Sequence, residues 1–497
     1  MNQPNFLIFM TDQQRADSVY PFCRAKTPNI DQFAKEGVSF INTYCPSPHC
    51  CPSRATFFSG LYPSEHGVWN NVDVGNTLST GLFDHVRLFS EDFAQNGYTM
   101  DYSGKWHVSS VESPLNRGFK SNFFNEVKRK TENVPRDFEW NGYQNKDAYF
   151  YEGKTGKNRL PGEISRIGYG PFVLYGECDD SAHADTNVIT GIVKHDLQVL
   201  KHALDTIKNR DSSKPWLHYI GMLGPHDPYI VPKRFVDMYD INQISLPDSF
   251  EDSMRDKPAM YRRIRDIYGA LSKEEHRQAV LHYLAFCSYE DYLFGLIIEQ
   301  LKKSNQYENT VIVYLSDHGD YMGEHGLWAK GLPCFESAYH IPFIIGGAGL
   351  PKNKIISHTA TLADFAPTIL ELANIQVERK FSGVSLVPFF YDKVPKNHTN
   401  DIFTQSNGNE VYGIQRSVTS EGFRYIFNAF DYDELYDMKK DPYQLHNLIN
   451  EESSKPIVKK LIKKLWQFAY DHRDTCINSY IMTALAPYGP GIIFQQD

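Results

Sequence analysis

The sequence predicts an α/β protein built on a parallel or mixed sheet flanked by helices. Short apolar runs alternate with helical patterns along most of the chain, and strands that alternate with helices favour such a sheet. Each apolar run ends in polar or glycine-rich residues, which is where open α/β sheets place their functional sites. The 497 residues are enough for one large and one smaller domain.

The elements can be placed in chain order. A first helix begins at Thr27-Pro28 and ends at Gly37, because proline is favoured at the start of a helix and glycine just past its end. A helix from about Thr361 to Ile375, apolar on one face, is expected to close the main domain. The predicted strands cover residues 5–10, 38–43, 98–103, 216–223, 310–315 and 341–345.

A change of pattern near Phe390 predicts a second domain. Residues 417–427 and 434–437 are typical of short antiparallel strands, and residues 456–470 of an amphipathic, lysine-rich helix. We therefore predict a main domain over residues 1–388 and a smaller C-terminal α+β domain over residues 389–497. The less regular residues 111–210 are expected to form loops over the site.

Composition and charge argue against several classes of protein. The formal net charge of −9 argues against a nucleic-acid-binding protein, which would need a basic face. A local cluster of cations could still bind an anionic substrate. No stretch approaches the length of a transmembrane helix, and the first ten residues resemble a strand rather than a signal peptide. The eight scattered cysteines fit a reducing compartment. We expect a cytoplasmic protein without membrane partners, or a periplasmic one if a leader has been removed.

Residues Cys50–Arg54 carry the strongest chemical signal in the chain. Such a Cys-x-Pro-Ser-Arg run is read by enzymes that oxidise its first cysteine, here Cys50, to formylglycine, an aldehyde residue. The hydrated aldehyde has two hydroxyls on one carbon, so one can attack sulfur and the other can later expel the captured sulfate. Taken alone, the run could also be a buried thiol pair in front of a helix.

Polar residues that follow two of the predicted strands could hold a metal ion. Asp12 and Gln13 offer oxygen ligands, and Asp317 and His318 offer an oxygen and an imidazole. Oxygen ligands suit Ca²⁺ or Mg²⁺, whereas an imidazole shifts the preference towards Mn²⁺ or Zn²⁺. A lone aspartate after a strand is usually a turn former, but two such pairs beside the cysteine motif favour a metal site.

Cationic and titratable side chains are available for an anionic substrate. Lys105 and His107 share one loop, His226 lies in a Pro-His-Asp-Pro loop, and Lys330 is a further long cation. Each alone is explained more simply as a surface charge or a hydrogen-bonded histidine. Within the motif, Arg54 is suited to hold the aldehyde hydrate by charge-assisted hydrogen bonds.

The order and spacing of these motifs resemble those of the type I sulfatases of the alkaline phosphatase superfamily. The resemblance spans nearly the whole chain and implies the alkaline-phosphatase-like α/β fold, with a catalytic domain over residues 1–388. The matching segments are Thr11-Asp12, Cys50–Arg54, Gly104–His107, Pro225-His226, Ser316–Gly319, Lys330, Glu434–Asp437, Asp441-Pro442 and His446–Leu448.

The resemblance implies a role for each site residue. The metal, first of all Ca²⁺ with Mn²⁺, Mg²⁺ or Zn²⁺ as alternatives, would be held by Asp12, Gln13, residue 50, Asp317 and His318. The catalytic residues would be formylglycine at position 50 as nucleophile, Arg54 and Lys105 on the hydrate, His107 as the base that collapses the sulfo-enzyme, and His226 and Lys330 on the leaving alcohol.

Substrate binding would involve Lys105, His226, Lys330 and Asn70. His66, Trp69 and Arg117 are further pocket candidates, because they lie close to the motifs in sequence.

The implied function is a sulfuric ester hydrolase that removes sulfate from a sulfated carbohydrate, acting at the end of a mono- or oligosaccharide. Its partners would be the sulfated sugar and the formylglycine-generating enzyme. Gln13 and His318, however, resemble the related phosphonate monoester hydrolases, so a phosphonate monoester or phosphodiester hydrolase is the first alternative. An inactive sulfatase-like binding protein is the second.

Overall fold

A computed structural model describes residues 3–72, 77–123, 159–166, 170–179, 191–211, 213–409, 411–480 and 484–495. It shows a mixed α/β sheet flanked by helices and followed by a small antiparallel sheet, which confirms the predicted fold class. About half of the irregular stretch 111–210 lies outside the described residues. Within the described part, no helix combines the length and apolarity needed to cross a membrane.

The strands of the described residues are β1 Asn5–Thr11, β2 Gly37–Tyr44, β3 Thr99–Gly104, β4 Ser121–Phe123, β5 Glu163–Arg166, β6 Gly170–Val173, β7 Tyr175–Cys178, β8 Trp216–Gly221, β9 Tyr229–Pro232, β10 Thr310–Ser316, β11 His340–Ile341, β12 Phe343–Gly347, β13 Lys354–Thr361, β14 Ile402–Gly408, β15 Tyr412–Ser420, β16 Phe423–Asn428 and β17 Glu434–Asp437.

The α-helices of the same residues are α1 Pro28–Lys35, α2 Cys50–Ser59, α3 Pro63–His66, α4 Phe89–Gln95, α5 Gly191–Asn209, α6 Lys233–Val236, α7 Ala259–Arg265, α8 Lys273–Lys303, α9 Glu336–Tyr339, α10 Phe365–Leu372, α11 Val387–Phe390 and α12 Lys455–Asp471.

Nine strands form the main sheet in the order β11-β2-β12-β10-β1-β8-β3-β4, with β13 also paired to β2. The strands around β1 run parallel, whereas β12 runs antiparallel to both β10 and β2. Every residue of β1, β8 and β10 is buried, as expected for central strands that are covered by helices on both faces. The centre of this sheet therefore places the residues that follow these strands at one common edge.

The small sheet has the order β14-β15-β16-β17, and α12 packs against it. Its core joins Val418 and Tyr425 of the sheet to Leu461 and Leu465 of the helix. The amphipathic helix predicted over residues 456–470 is therefore present, while the domain boundary at residues 388/389 stays a prediction.

Several predicted elements differ in detail. The strand predicted over 341–345 is divided into β11 and β12 at Pro342, since proline has no N–H for a sheet hydrogen bond. The stretch 417–427 is two strands joined by a turn at Glu421-Gly422, where both residues have positive φ. The helix predicted over 361–375 is the shorter α10, because the Thr361 hydroxyl accepts from the Ala363 N–H and starts a short 3₁₀ turn first.

Candidate active site

The main sheet brings the predicted site residues together at one edge. Thr11 of β1 pairs with Ser316 of β10, and these are the last residues of the two strands. Asp12 and Asp317 directly follow them and therefore lie side by side. Gly104 of β3 pairs with Gly221 of β8, which places Lys105 at the same edge. A Cβ on Gly104 would lie 1.9 Å from the Gly221 carbonyl oxygen, so only glycine lets β3 approach β8 this closely before Lys105.

Cys50 is the first residue of α2, a helix whose ten residues are all buried. Its thiol is 1% exposed, and its Sγ lies 3.2 Å from His318 Nε2 and 3.7 Å from Asp12 Oδ1. The hydroxyl of Ser53 donates a short hydrogen bond to the backbone oxygen of Asp317, which fastens the helix to the end of β10. The motif residues therefore hold position 50 against the two aspartates.

Arg54 joins both aspartates beneath the nucleophile position. Its Nη2 lies 3.0 Å from Asp12 Oδ2 and its Nε 2.8 Å from Asp317 Oδ2, and all three side chains are fully buried. Nη1 donates to the Tyr219 hydroxyl at 2.9 Å. Lys105 adds a second ion pair to Asp12, with 2.5 Å between Nζ and Oδ2. Arg54 thus contacts the metal-type carboxylates rather than standing free to bind a substrate.

The charges at this edge favour anionic forms of Asp12 and of Cys50. Burial and Cys50 alone would raise the pKa of the Asp12 carboxyl, but Lys105, His226 and Arg54 hold that pKa well below its usual range. Burial also opposes ionisation of Cys50, yet Lys105, Lys330 and His318 lower the pKa of its thiol well below normal. The site is therefore built to stabilise negative charge at position 50.

Asp317 behaves differently from Asp12, although both pair with Arg54. Burial and the neighbouring Asp12 raise the pKa of the Asp317 carboxyl against the opposing effects of His318 and Arg54. Lys105 contributes to this difference between the two pKa values, because it forms an ion pair with Asp12. Two carboxylates this close cannot both be ionised without cost, unless a further cation joins them.

Four donor groups could provide that cation site. Ligand atoms of Asp12, Cys50, Asp317 and His318 all lie within 4.8 Å of one another, and all four residues are buried. His318 Nδ1 lies 2.9 Å from the Gly319 carbonyl oxygen, which accepts its proton and leaves Nε2 turned towards the cluster. Two carboxylates and a neutral imidazole suit a divalent cation, so the residues present fit the predicted metal.

Gln13, also predicted as a metal ligand, is held by other partners in this structure. Its Oε1 accepts from Lys330 Nζ at 2.7 Å, while its Nε2 donates to Asp320 Oδ2 at 2.5 Å and to Asp227 Oδ1 at 3.2 Å. Lys330 also contacts His226 Nε2. The predicted pair His226 and Lys330 is thus brought together, and Gln13 joins it to two carboxylates that the sequence did not single out.

His107 and Asn70 are the two remaining site candidates, and they have different surroundings. His107 lies close enough to Cys50 to lower the pKa of its thiol through a hydrogen bond. Asn70 accepts from the Leu78 N–H at 3.0 Å and lies 3.4 Å from the Tyr412 hydroxyl, so its substrate-binding role stays a prediction. Its neighbour Asn71 contacts the motif, since its Oδ1 accepts from the Cys51 N–H at 3.2 Å.

Three residues chosen only for their closeness in sequence are engaged elsewhere. His66 bonds to the Thr56 hydroxyl, and its burial lowers the imidazole pKa to about 3. The Trp69 ring faces the guanidinium of Arg416. Arg117 forms an ion pair with Glu112 at 2.6 Å. The pocket roles suggested for these three residues stay predictions.

The site has the composition needed to transfer an anionic group. A buried nucleophile position faces a potential cation on one side and Lys105 on another, and Lys330 and His226 stand together near it. Such groups can neutralise the oxygens of a sulfate or phosphonate and protonate a departing alcohol.

Two family models match the sequence. The sulfatase family model matches residues 4–375, and a model described as N-sulphoglucosamine sulphohydrolase, C-terminal, matches residues 323–471. A choline-sulfatase from Rhizobium meliloti is 28% identical over 467 residues, covering 90% of this chain and 82% of that protein.

Two solved structures share the fold. One, a protein in complex with its substrate D-glucosamine-2-N,6-O-disulfate, has a TM-score of 0.71 at 20% identity and covers 95% of this chain and 99% of that chain. The other, a phosphonate monoester hydrolase from Silicibacter pomeroyi, has a TM-score of 0.75 at 19% identity and covers 96% and 97%.

Proposed function

The chain belongs to the sulfatase family of sulfate-ester hydrolases, and from that premise we propose that it removes sulfate from a sulfated carbohydrate through formylglycine formed at position 50. The observation that carries this proposal is the position of Cys50, fully enclosed between two carboxylates, an imidazole and Lys105 at the edge of the main sheet. The fold shared with a protein that binds a disulfated glucosamine supports the sugar as substrate.

The roles follow from the contacts of each residue. Arg54 and Lys105 fix Asp12, and Lys105 also lies close enough to lower the pKa of residue 50. His107 contacts residue 50 and is placed to take a proton from it. Formylglycine supplies a nucleophilic hydroxyl and, on the same carbon, a second hydroxyl whose deprotonation releases sulfate. A sugar sulfate would leave its alcohol on the side of Lys330 and His226.

A divalent metal, Ca²⁺ first of all, is part of the proposal. It would be held by Asp12, residue 50, Asp317 and His318. Gln13 would join these ligands only if its Oε1 gave up the hydrogen bond from Lys330 and turned to the metal. The cation would neutralise the anionic oxygens of the substrate and the charge that develops at position 50.

Metal binding is expected to stabilise the fold, because the cation relieves the repulsion between Asp12 and Asp317. Ca²⁺ at 100 times its Kd should add about 2.7 kcal/mol to the free energy of unfolding, seen as a rise in Tm after treatment with a chelator and readdition. Asp317→Asn should remove this rise. The control is Asp364→Asn, a buried aspartate bonded to the backbone N–H of Thr361 and Val384, which should keep it. An equal rise in Asp317→Asn would contradict the site, and Mn²⁺ and Zn²⁺ compared in the same assay would identify the metal.

The substrate is tested by release of the inorganic ion from protein co-expressed with a formylglycine-generating enzyme. The panel holds an aryl sulfate, sulfated mono- and disaccharides, choline sulfate and an aryl phosphonate ester, with Cys50→Ala as the blank. We expect the fastest release from one sulfated sugar, because the chain belongs to a family of sulfate-ester hydrolases. Choline sulfate as the best substrate would move the proposal to small alkyl sulfates.

A phosphonate monoester hydrolase is the second candidate. It is favoured by Gln13 and His318 at the site and by the fold shared with such an enzyme. Phosphonate cleavage faster than every sulfate would establish it. An inactive binding protein would release no ion from any substrate and keep an unmodified Cys50.

A further inference from the structure

Glu290 of α8 is a buried carboxyl group that the proposed mechanism does not use. Its side chain is fully buried, and within the described residues no donor lies in hydrogen-bonding position to either of its oxygens. It faces the carboxyl of Asp196 on α5, which is equally buried. Two carboxylates in contact inside a fold repel each other unless a proton or a cation joins them.

Asp196 is supplied with donors, whereas Glu290 is not. The oxygens of Asp196 accept from the N–H groups of Leu223 and Gly224, each at 2.8 Å, and His195 Nδ1 lies 2.8 Å from Oδ1. These partners stabilise an ionised carboxylate at Asp196. A proton shared by the pair therefore belongs on Glu290, which can donate it to Asp196. Burial and the neighbouring Asp196 raise the pKa of Glu290 well above its usual range, which agrees with this assignment.

The surroundings of the pair favour a proton over an ion pair as the group that joins the two carboxyls. The other titratable side chains around it, on α5, α8 and β10, are His195, Cys287, Tyr289 and Tyr314. Of these, His195 can become a cation, but its Nδ1 is directed to Asp196. Arg234 acts on Tyr289 and not on Glu290. Within the described residues, Glu290 thus has no cationic partner.

The pair is built against the loop that carries His226. Gly224 leaves room for Glu290, since a Cβ at Gly224 would lie 2.1 Å from Glu290 Oε1. The Gly224 N–H is bonded to Asp196, and its carbonyl oxygen accepts from the Asp12 N–H at 3.0 Å. The loop is therefore fastened to α5 on one side and to the end of β1 on the other. Only its backbone groups make these bonds, so a cation held by the Asp12 side chain leaves them in place.

We propose that Glu290 carries a proton that it shares with Asp196, and that the pair positions His226 by fixing the backbone of residues 223–226. The inference rests on the proposed function, in which His226 acts on the departing alcohol. Glu290 and Asp196 are positioning residues in this scheme, because they act on the substrate only through the loop. The proton stays between the two carboxyls throughout the reaction.

The shared proton is tested by infrared spectroscopy of the folded protein at neutral pH. The C=O stretch of a protonated carboxyl is separate from the bands of carboxylates and amides. Glu290→Gln should lose one carboxylic-acid band in the difference spectrum against the wild type. Glu336→Gln is the matched control: although burial opposes ionisation, Arg424 lowers the pKa of the Glu336 carboxyl, so this variant should lose carboxylate absorption instead.

The positioning role is tested by kcat/KM on the best substrate of the ion-release panel. In Glu290→Gln the new amide N–H can donate to Asp196 as the acid did, so activity should stay close to that of the wild type. Glu290→Met fills a similar space without a donor, and the lost hydrogen bond should lower kcat/KM about tenfold. Asp196→Asn must turn its NH₂ towards the N–H of Leu223 or Gly224, and a displaced loop should lower kcat/KM on the order of 10²-fold. Thermal midpoints verify that each variant is folded.

Three results would overturn the inference. An unchanged carboxylic-acid band in Glu290→Gln would show that Glu290 is ionised and joined to Asp196 by a cation. Equal losses of activity in Glu290→Gln and Glu290→Met would exclude the donor role, and full activity in Asp196→Asn would show that the pair does not position His226. Wild-type protein that releases no ion would refute the proposed function and the positioning role with it, whereas the shared proton is judged by the infrared spectrum alone.

Discussion

Cys50→Ser is expected to lower turnover on the order of 10⁴–10⁶-fold, the range seen when a catalytic nucleophile is removed, while leaving the fold intact. A serine hydroxyl could accept the sulfuryl group, but the ester would be stable because its carbon carries no second hydroxyl to expel sulfate. Serine is close in size to cysteine, and position 50 begins a helix, where a small polar side chain is well tolerated. The measurements are sulfate release and the thermal midpoint.

The matched control is Cys51→Ser. Cys51 is equally buried, and its Sγ accepts from the Val72 N–H at 3.4 Å. It occupies the variable position of the motif, so Cys51→Ser should keep formylglycine at position 50, detected in the mass of the peptide, and most of the activity. Retained turnover in Cys50→Ser would refute the mechanism.

Arg54→Met should cost about 3–5 kcal/mol of unfolding free energy in metal-free protein, and activity with it. Removing the guanidinium leaves the fully buried Asp12 and Asp317 with fewer partners, and breaking a buried ion pair on one side typically costs this much. Chemical denaturation in the presence of a chelator measures the loss. Added Ca²⁺ should restore part of this stability, because the cation can neutralise the same carboxylates.

Arg416→Met supplies the comparison. Arg416 forms a buried ion pair with Asp474 in the C-terminal part of the chain, so its loss should also destabilise the protein. Ca²⁺ should not compensate there, since no predicted metal ligand is involved. Wild-type stability in Arg54→Met, or equal compensation in the two variants, would show that Arg54 and the metal do not share the carboxylates of Asp12 and Asp317.

The sequence predicted the central strands well, because parallel strands that are buried on both faces appear as continuous apolar runs. The strands predicted over 5–10 and 310–315 correspond to β1 and β10, and the polar residues behind them meet as expected. Helix α8 was missed. It buries His276, His282, Glu290 and Asp291, so its sequence shows no clear apolar stripe to mark a helix.

The sequence identified site residues that belong to a motif. It did not identify residues that reach the site only through the packing of the fold. Cys50, Arg54 and Lys105 come together around Asp12 at the edge of the main sheet. Asp320 and Asp227 carried no signal of their own, because a single aspartate after a strand usually forms a turn. Both accept hydrogen bonds from the Gln13 amide, and such side-chain contacts cannot be read from sequence spacing.

The burial of α2 has a consequence for the order of events during synthesis. Cys50 is enclosed partly by His318, which enters the chain 268 residues later. At about 5–20 residues per second, a ribosome needs roughly 13–54 s to add those residues. Before His318 has been added, Cys50 cannot be covered by it. Once the chain has folded, an oxidising enzyme would find no accessible thiol. The formylglycine proposed for position 50 therefore requires that Cys50 be oxidised before the chain folds around it, and a chain that folds first would keep its cysteine.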